Sequence, residues 1–171
     1  MMKRVICTTA EKVILHRSQE NGMPVIELKL RVNAPAKSVY DVARDVEAFP
    51  DFMEDLQSIT VLERSEDENR TITEWVGLIR EFKMTIKWRQ EDVWDPEKLR
   101  DDFKLVKGDM DSMSGFWEFV PDGDGSMFVS MLEYEYNVPL VGPMIKNLIR
   151  KKMEGNLDAQ MRAIAAKAEG R

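Results

Sequence analysis

The chain has 171 residues, 43% of them hydrophobic and 33% charged, with a formal net charge of -6. That length suits one domain with a real core, the composition excludes general disorder, and the acidic balance argues against a whole-surface nucleic-acid binder and so against a DNA partner. No run approaches the ~18 consecutive apolar residues of a membrane span, and Met1 to Gln19 lack the apolar centre of a secretory signal, so a cytoplasmic protein is expected.

Cys7 and His16 are the only residues of their kinds. An internal disulfide is therefore impossible, and a zinc site of Cys and His composition cannot be assembled. Triad chemistry would have to run through His16, near one end of the chain. No metal or cofactor is expected. Residues 1–20 read as an N-terminal extension in which Val5-Ile6 and Val13-Ile14 suggest an extra edge strand. Pro24 to Val32 alternate, with Ile26, Leu28, Leu30 and Val32 on one side, as a half-buried strand does. Asn33-Ala34-Pro35 then suits a helix start with Asn33 as cap, and Val39, Val42, Ala43 and Val46 supply the stripe. A second short helix is predicted over 45–53, broken around Pro50.

Six strand-like runs follow, at 56–64, 71–79, 82–93, 98–107, 113–120 and 126–137, separated by turn residues such as Asp95-Pro96-Glu97 and Asp122-Gly123-Asp124-Gly125. Short separators make neighbours antiparallel. From Pro143 to Ala168 the residues Ile145, Leu148, Ile149, Met153, Leu157, Met161, Ile164 and Ala165 recur at helical spacing. The order predicts an α+β domain covering 1–171: a curved antiparallel sheet of about seven strands around one long C-terminal helix, with two short helices after the first strand. One helix cannot fill the concave face of such a sheet at ordinary packing density, so a cavity is expected.

The cavity wall is predicted from alternation: Met84, Ile86 and Trp88 on one strand, Met113, Gly115 and Trp117 on another, Ser130, Leu132 and Tyr134 on the last, and Ile149, Met153 and Leu157 from the helix. Tyr136 and Asn156 are lesser polar candidates, and Gly115 and Gly155 read as places of close approach. On the strand 71–79, Glu74 and Val76 share a face with Ile72, so Glu74 is a candidate acid or base within the cavity. A register shifted by one residue would instead turn Trp75 inward, and the residues alone leave both open. Lys146, Arg150, Lys151 and Lys152 make a basic cluster that suits a solvated helix face or docking on an anionic surface or macromolecule.

Three stretches carry a resemblance: NAPAKSVYDVARDVEAFPDFM at 33–53, LVKGDMDSMSGFWEF at 105–119 and LEYEYNVPLVGPMI at 132–145. Their order and spacing resemble the helix-grip fold of the START-like superfamily, also called SRPBCC. The closer match is to its polyketide cyclase/dehydrase branch, which includes the coenzyme Q-binding protein family. The match spans 23–168, and the N-terminus extends beyond the family's usual start.

The resemblance implies a hydrophobic pocket between sheet and C-terminal helix for lipids, quinones or polyketide-like molecules. It thus implies binding or transport of a small hydrophobic ligand. A cofactor-independent cyclase or aromatase using Glu74 or a tyrosine is the alternative. A second alternative is a module for the ribosome or another macromolecular partner, since a related branch is described in that way.

Overall fold

In the computed structural model, residues 12–18, 24–80, 83–135 and 143–171 are described, with Lys12–Ser18, Ile79, Met84 and residues 143–146 described by backbone alone. The elements are β1 (Lys12–Ser18), β2 (Pro24–Val32), α1 (Ala36–Arg44), a 3-10 turn (Val46–Asp51), β3 (Leu56–Arg64), β4 (Arg70–Ile79), β5 (Met84–Asp95), β6 (Arg100–Gly108), β7 (Ser112–Asp122), β8 (Gly125–Glu135) and α2 (Pro143–Ala168). They form one antiparallel sheet in the order β1-β2-β8-β7-β6-β5-β4-β3, with β1 outermost beside β2. Cys7 lies outside the described residues.

The two early helices form as the stripes require, but α1 begins differently from expectation. Its N-cap is Pro35, with no side-chain cap. Asn33 is instead tied to the far end of the chain, its N–H donating to Glu169 Oε1 at 2.7 Å. Pro50 sits inside the 3-10 turn, whose tighter path tolerates a residue without an N–H.

The inward face is made by alternate residues of each strand. Ile26, Leu28, Leu30 and Val32 of β2 and Phe119 and Phe128 of β7 and β8 are all nearly inaccessible. Against them pack Val39, Tyr40 and Ala43 of α1 and Met161, Ile164 and Ala165 of α2. Tyr40 meets Trp94 and Phe119 edge-on, at 5.5 and 6.0 Å between centroids. The dry core therefore lies under α1 and the second half of α2. In the first half of α2, Ile149 and Met153 pack against this core but stay only partly buried, and Gly155 and Asn156 are exposed.

The glycines predicted to mark close approach divide. A Cβ at Gly115 would stand 2.0 Å from the Met131 carbonyl oxygen and 2.8 Å from the Phe103 ring. The space is already filled by protein, so Gly115 serves strand and ring packing, not a ligand. At Gly155 nothing lies within 4 Å of such an atom, and the expected clearance role is not found. Gly115→Ala should therefore destabilise the protein by ~2 kcal/mol or more. Gly155→Ala should stabilise it by up to ~1 kcal/mol by favouring the helix. Urea unfolding of the two variants checks both signs.

Candidate functional site

Between α2 and strands β4 to β8 lies a half-open cavity of about 350 Å³. Seven of the residues predicted from alternation line it: Ile86, Trp88, Met113, Trp117, Leu132, Met153 and Leu157. The lesser candidate Asn156 lines it too. Four sources of lining escaped the sequence reading. Phe52 and Met53 follow the 3-10 turn and Leu56 opens β3, Gln90 comes from β5, Phe103 and Met110 from β6 and the turn after it, and Gln160 and Ala163 from α2, while Trp75 of β4 is the residue that the alternative register turned inward. Phe103 was legible, since Asp101, Phe103 and Leu105 alternate, but two of those flanking positions are charged or marginal. A wider and more open depression of about 470 Å³ lies alongside, over Leu105–Met110, and shares Met110 and Met113 with the cavity.

The register left open on β4 is resolved in favour of Trp75. Trp75 pairs with Trp88, is buried and stacks on it at 5.5 Å and 18°. Glu74 and Val76 are therefore turned to the outer face, and the expectation that they line the cavity is corrected. Glu74 accepts a hydrogen bond from Arg89 Nε at 2.8 Å and has Lys87 Nζ at 3.5 Å. The Arg89 hydrogen bond holds its carboxyl below the usual range, and Lys87 adds to that. A carboxylate so paired, on the wrong side of the sheet, cannot be a cavity acid.

The remaining candidates fall around the cavity. Ser130 and Tyr134 are buried on the inner face of β8 but do not line it. Burial raises the Tyr134 hydroxyl pKa, against the charge of Arg150. Ile149 packs against the core from α2 without lining the cavity. The side chains of Met84 and Lys146, and all of Tyr136, lie outside what is described. Of the basic cluster, Lys151 is exposed while Arg150 and Lys152 are half-buried, so these cations do not share one solvated face.

Behind the aromatic wall is a polar layer that no sequence signal announced. Trp75 Nε1 donates to Thr73 Oγ1 at 2.8 Å, and Thr73 Oγ1 donates to Asp92 Oδ2 at 3.0 Å. Trp88 Nε1 donates to Gln90 Oε1 at 2.9 Å, and Gln90 Nε2 donates to Asp92 Oδ1 at 2.6 Å. One carboxyl group thereby fixes both stacked indoles through two short chains. Asp101 is equally buried on the next strand, and each of the two is 1% exposed. Burial pushes Asp92 up to about 6 despite its hydrogen bonds. Burial and then the Asp92 charge raise Asp101 well above the ordinary carboxylate range. Both carboxyls are therefore raised by burial, Asp101 further by the charge of Asp92.

These features place the chain among known proteins. Residues 32–161 match the family described as polyketide cyclase / dehydrase and lipid transport. The actinorhodin polyketide synthase bifunctional cyclase/dehydratase of Streptomyces coelicolor is 30% identical over 144 residues, covering 83% of this chain and 43% of that protein. The chain thus spans less than half of that relative's length. Among solved structures, a protein of Thermus thermophilus superposes with TM-score 0.80 at 28% identity, over 86% of this chain and 98% of the other. The Zhui aromatase/cyclase from a Streptomyces species gives 0.77 at 18%, over 86% and 94%. A START superfamily protein of Mycobacterium smegmatis gives 0.72 at 20%, over 87% and 99%. The fold is START-like, and the chain belongs to the polyketide cyclase/dehydrase and lipid transport family.

Proposed function

We propose that the protein binds and carries a small hydrophobic molecule, such as a lipid, quinone or polyketide-like compound, in the cavity beneath α2. The observation that carries this reading is the cavity itself. Its walls are dominated by indole, phenyl, thioether and aliphatic groups, and its few polar members include Gln90, Asn156 and Gln160. Such a lining supplies affinity through apolar area, ~25 cal/mol per Å² before the costs of association, and leaves orientation to a few polar atoms. Methionines at 53, 110, 113 and 153 give the wall flexible side chains that adapt to different shapes.

The cyclase alternative draws support from the aromatase/cyclase likeness, but the carboxylates that line the cavity, Glu54 and Asp55, are solvent-exposed and paired with Arg80. Glu74 faces outward, and the two buried carboxyls stand behind the indoles. Carriage is the better-supported reading.

Met113→Arg tests it by setting a guanidinium in the apolar space. The neutral fluorophore N-phenyl-1-naphthylamine should bind wild type and bind this variant at least ~30-fold more weakly, since desolvating the charge costs several kcal/mol. Near-UV circular dichroism establishes that the variant is folded. Equal binding by a folded variant would place the probe elsewhere. Solvent extraction of gently purified protein, followed by mass spectrometry, identifies any natural cargo.

A further inference from the structure

Trp88, on the inward face of β5, lines the cavity and is half-buried, whereas its stacking partner Trp75 on β4 is 2% exposed. The accessible ring of the stack is therefore Trp88. Its place is fixed from several sides. β6 closes on its stem at Gly108, the residue paired with it, where a Cβ would stand 2.6 Å from Trp88 Cβ. The far edge of the ring lies over Gly77 of β4, where a Cβ would come to 3.3 Å from Trp88 Cζ3. Trp75 covers one face at 5.5 Å and 18°. Gln90 takes the indole N–H at 2.9 Å.

The hydrogen bonds around the stack have an obligatory direction, because an indole N–H can only donate. Thr73 Oγ1 accepts from Trp75, so the hydroxyl proton is passed onward, to Asp92 Oδ2. Gln90 Oε1 accepts from Trp88, so its amide nitrogen is left to donate onward, to Asp92 Oδ1. Both chains end on a residue that must accept twice. A carboxyl supplies two acceptor oxygens, and the amide of an asparagine supplies one. Thr73, Gln90 and Asp92 are 0%, 8% and 1% exposed, so bulk water has little access to stand in for a lost partner. Burying a carboxyl costs free energy that an apolar side chain of similar size does not. What the carboxyl supplies in return is a common anchor: neither ring can turn without disturbing the group that holds the other.

We propose that Asp92 is a positioning residue that locks Trp75 and Trp88 into one rigid plate, and that this plate makes the cavity discriminate between flat and puckered ring systems of equal size. This rests on the carrier reading and adds the residue that fixes the shape of the wall. A flat ring laid on Trp88 keeps its whole face in contact, whereas a puckered ring touches at a few atoms. Elsewhere the lining includes Met110, Met113 and Met153, whose thioethers adjust to either shape. Shape selection therefore falls to the plate. Asp92 does not line the cavity and acts through the indoles.

The test uses two probes on one carbon skeleton, 2-ethylnaphthalene and 2-ethyldecalin, titrated by displacement of N-phenyl-1-naphthylamine from wild type, Asp92→Asn and Thr73→Val. The indole N–H signals of Trp75 and Trp88 are followed by nitrogen–proton correlation spectroscopy and assigned through Trp75→Phe and Trp88→Phe. In Asp92→Asn both signals should move and exchange faster with solvent. The preference for the flat probe over the puckered one should fall about fivefold, the worth of one hydrogen bond. Thr73→Val leaves the charge unchanged and breaks only the Trp75 chain, yet it should move the Trp88 signal as well and lower the same preference. It also carries the test if Asp92→Asn does not fold. Thr73→Ser, which keeps the hydroxyl, should restore both. Because a ratio of two probes is read, a general loss of affinity or stability does not imitate the effect. An unchanged preference in the folded variants, or a Trp88 signal untouched by Thr73→Val, would overturn the positioning role and leave the carrier reading standing. If neither the fluorophore nor either probe binds folded wild type, the carrier reading fails and takes the discrimination with it.

Discussion

Asp101→Asn will flatten the decline in stability that the wild-type chain shows as pH rises. Asp92 titrates near 6 in the folded protein against an ordinary value of 3.8. Between those pH values the folded chain holds the proton that the unfolded chain has released. Stability from this group is therefore complete below about pH 4 and is lost as pH rises through 6. The loss amounts to ~3 kcal/mol. Asp101 is raised too, by burial and then by the Asp92 charge, and adds to the fall with the same sign.

Glu74, Glu91, Asp67 and Asp95 have the opposite sign, since their partners hold them low. Their contributions are present above about pH 4 and disappear in acid. The buried pair is therefore best read as the difference between wild type and variant. Urea unfolding at pH 5, 6, 7 and 8 should show Asp101→Asn gaining on wild type as pH rises, because the substitution removes one of the two raised carboxyls. A difference that stays constant with pH would mean that Asp101 ionises as it does in the unfolded chain.

Met161→Lys will cost ~3–5 kcal/mol, because it places an unpaired ammonium where the native side chain is 1% exposed. Met153→Lys, eight positions earlier on the same helix, will cost less than ~1 kcal/mol. Met153 is half-buried on the cavity wall, so a lysine there can carry its charge to the mouth. Binding should show the complementary pattern, with Met153→Lys folded but deficient in uptake of the neutral fluorophore. Thermal unfolding together with fluorophore titration reads both. Equal destabilisation by the two substitutions would mean that α2 docks uniformly along its length.

Much of this architecture was legible because its signals are periodic. The alternation of Ile26, Leu28, Leu30 and Val32, and the stripe through Met153, Leu157, Met161 and Ile164, report backbone geometry directly, and the elements follow them. What alternation left unsettled was β4, where Ile72, Trp75 and Val76 offer apolar groups to both faces. Only pairing with Trp88 decided that Glu74 turns outward.

The polar layer was harder still. Glu91 and Asp92 are adjacent and Asp101 adjoins Asp102, and such acidic pairs read as solvated surface. The near-complete burial of Asp92 and Asp101 follows from strand register and from partners such as Gln90 and Thr73. None of that is encoded within a local window. Among helix starts, Asn33 misled for a similar reason, since its N–H is claimed by Glu169 at the opposite end of the chain.

The order of strands has a bearing on how the container is assembled. From β3 through β8 each strand pairs with its neighbour in sequence, so these hairpins can zip in turn at small entropic cost. The exception is β2, whose Ile26 faces Leu132 of β8 across most of the chain. Closing that loop sacrifices chain freedom before any local contact compensates for it. The cavity needs β8 for Leu132 and α2 for its roof, and α2 leans on β2. The seam between β2 and β8 is the least local joint of the molecule, and it also secures the element that covers the cavity. Capacity to hold a ligand thus depends on the closure that costs the chain the most freedom.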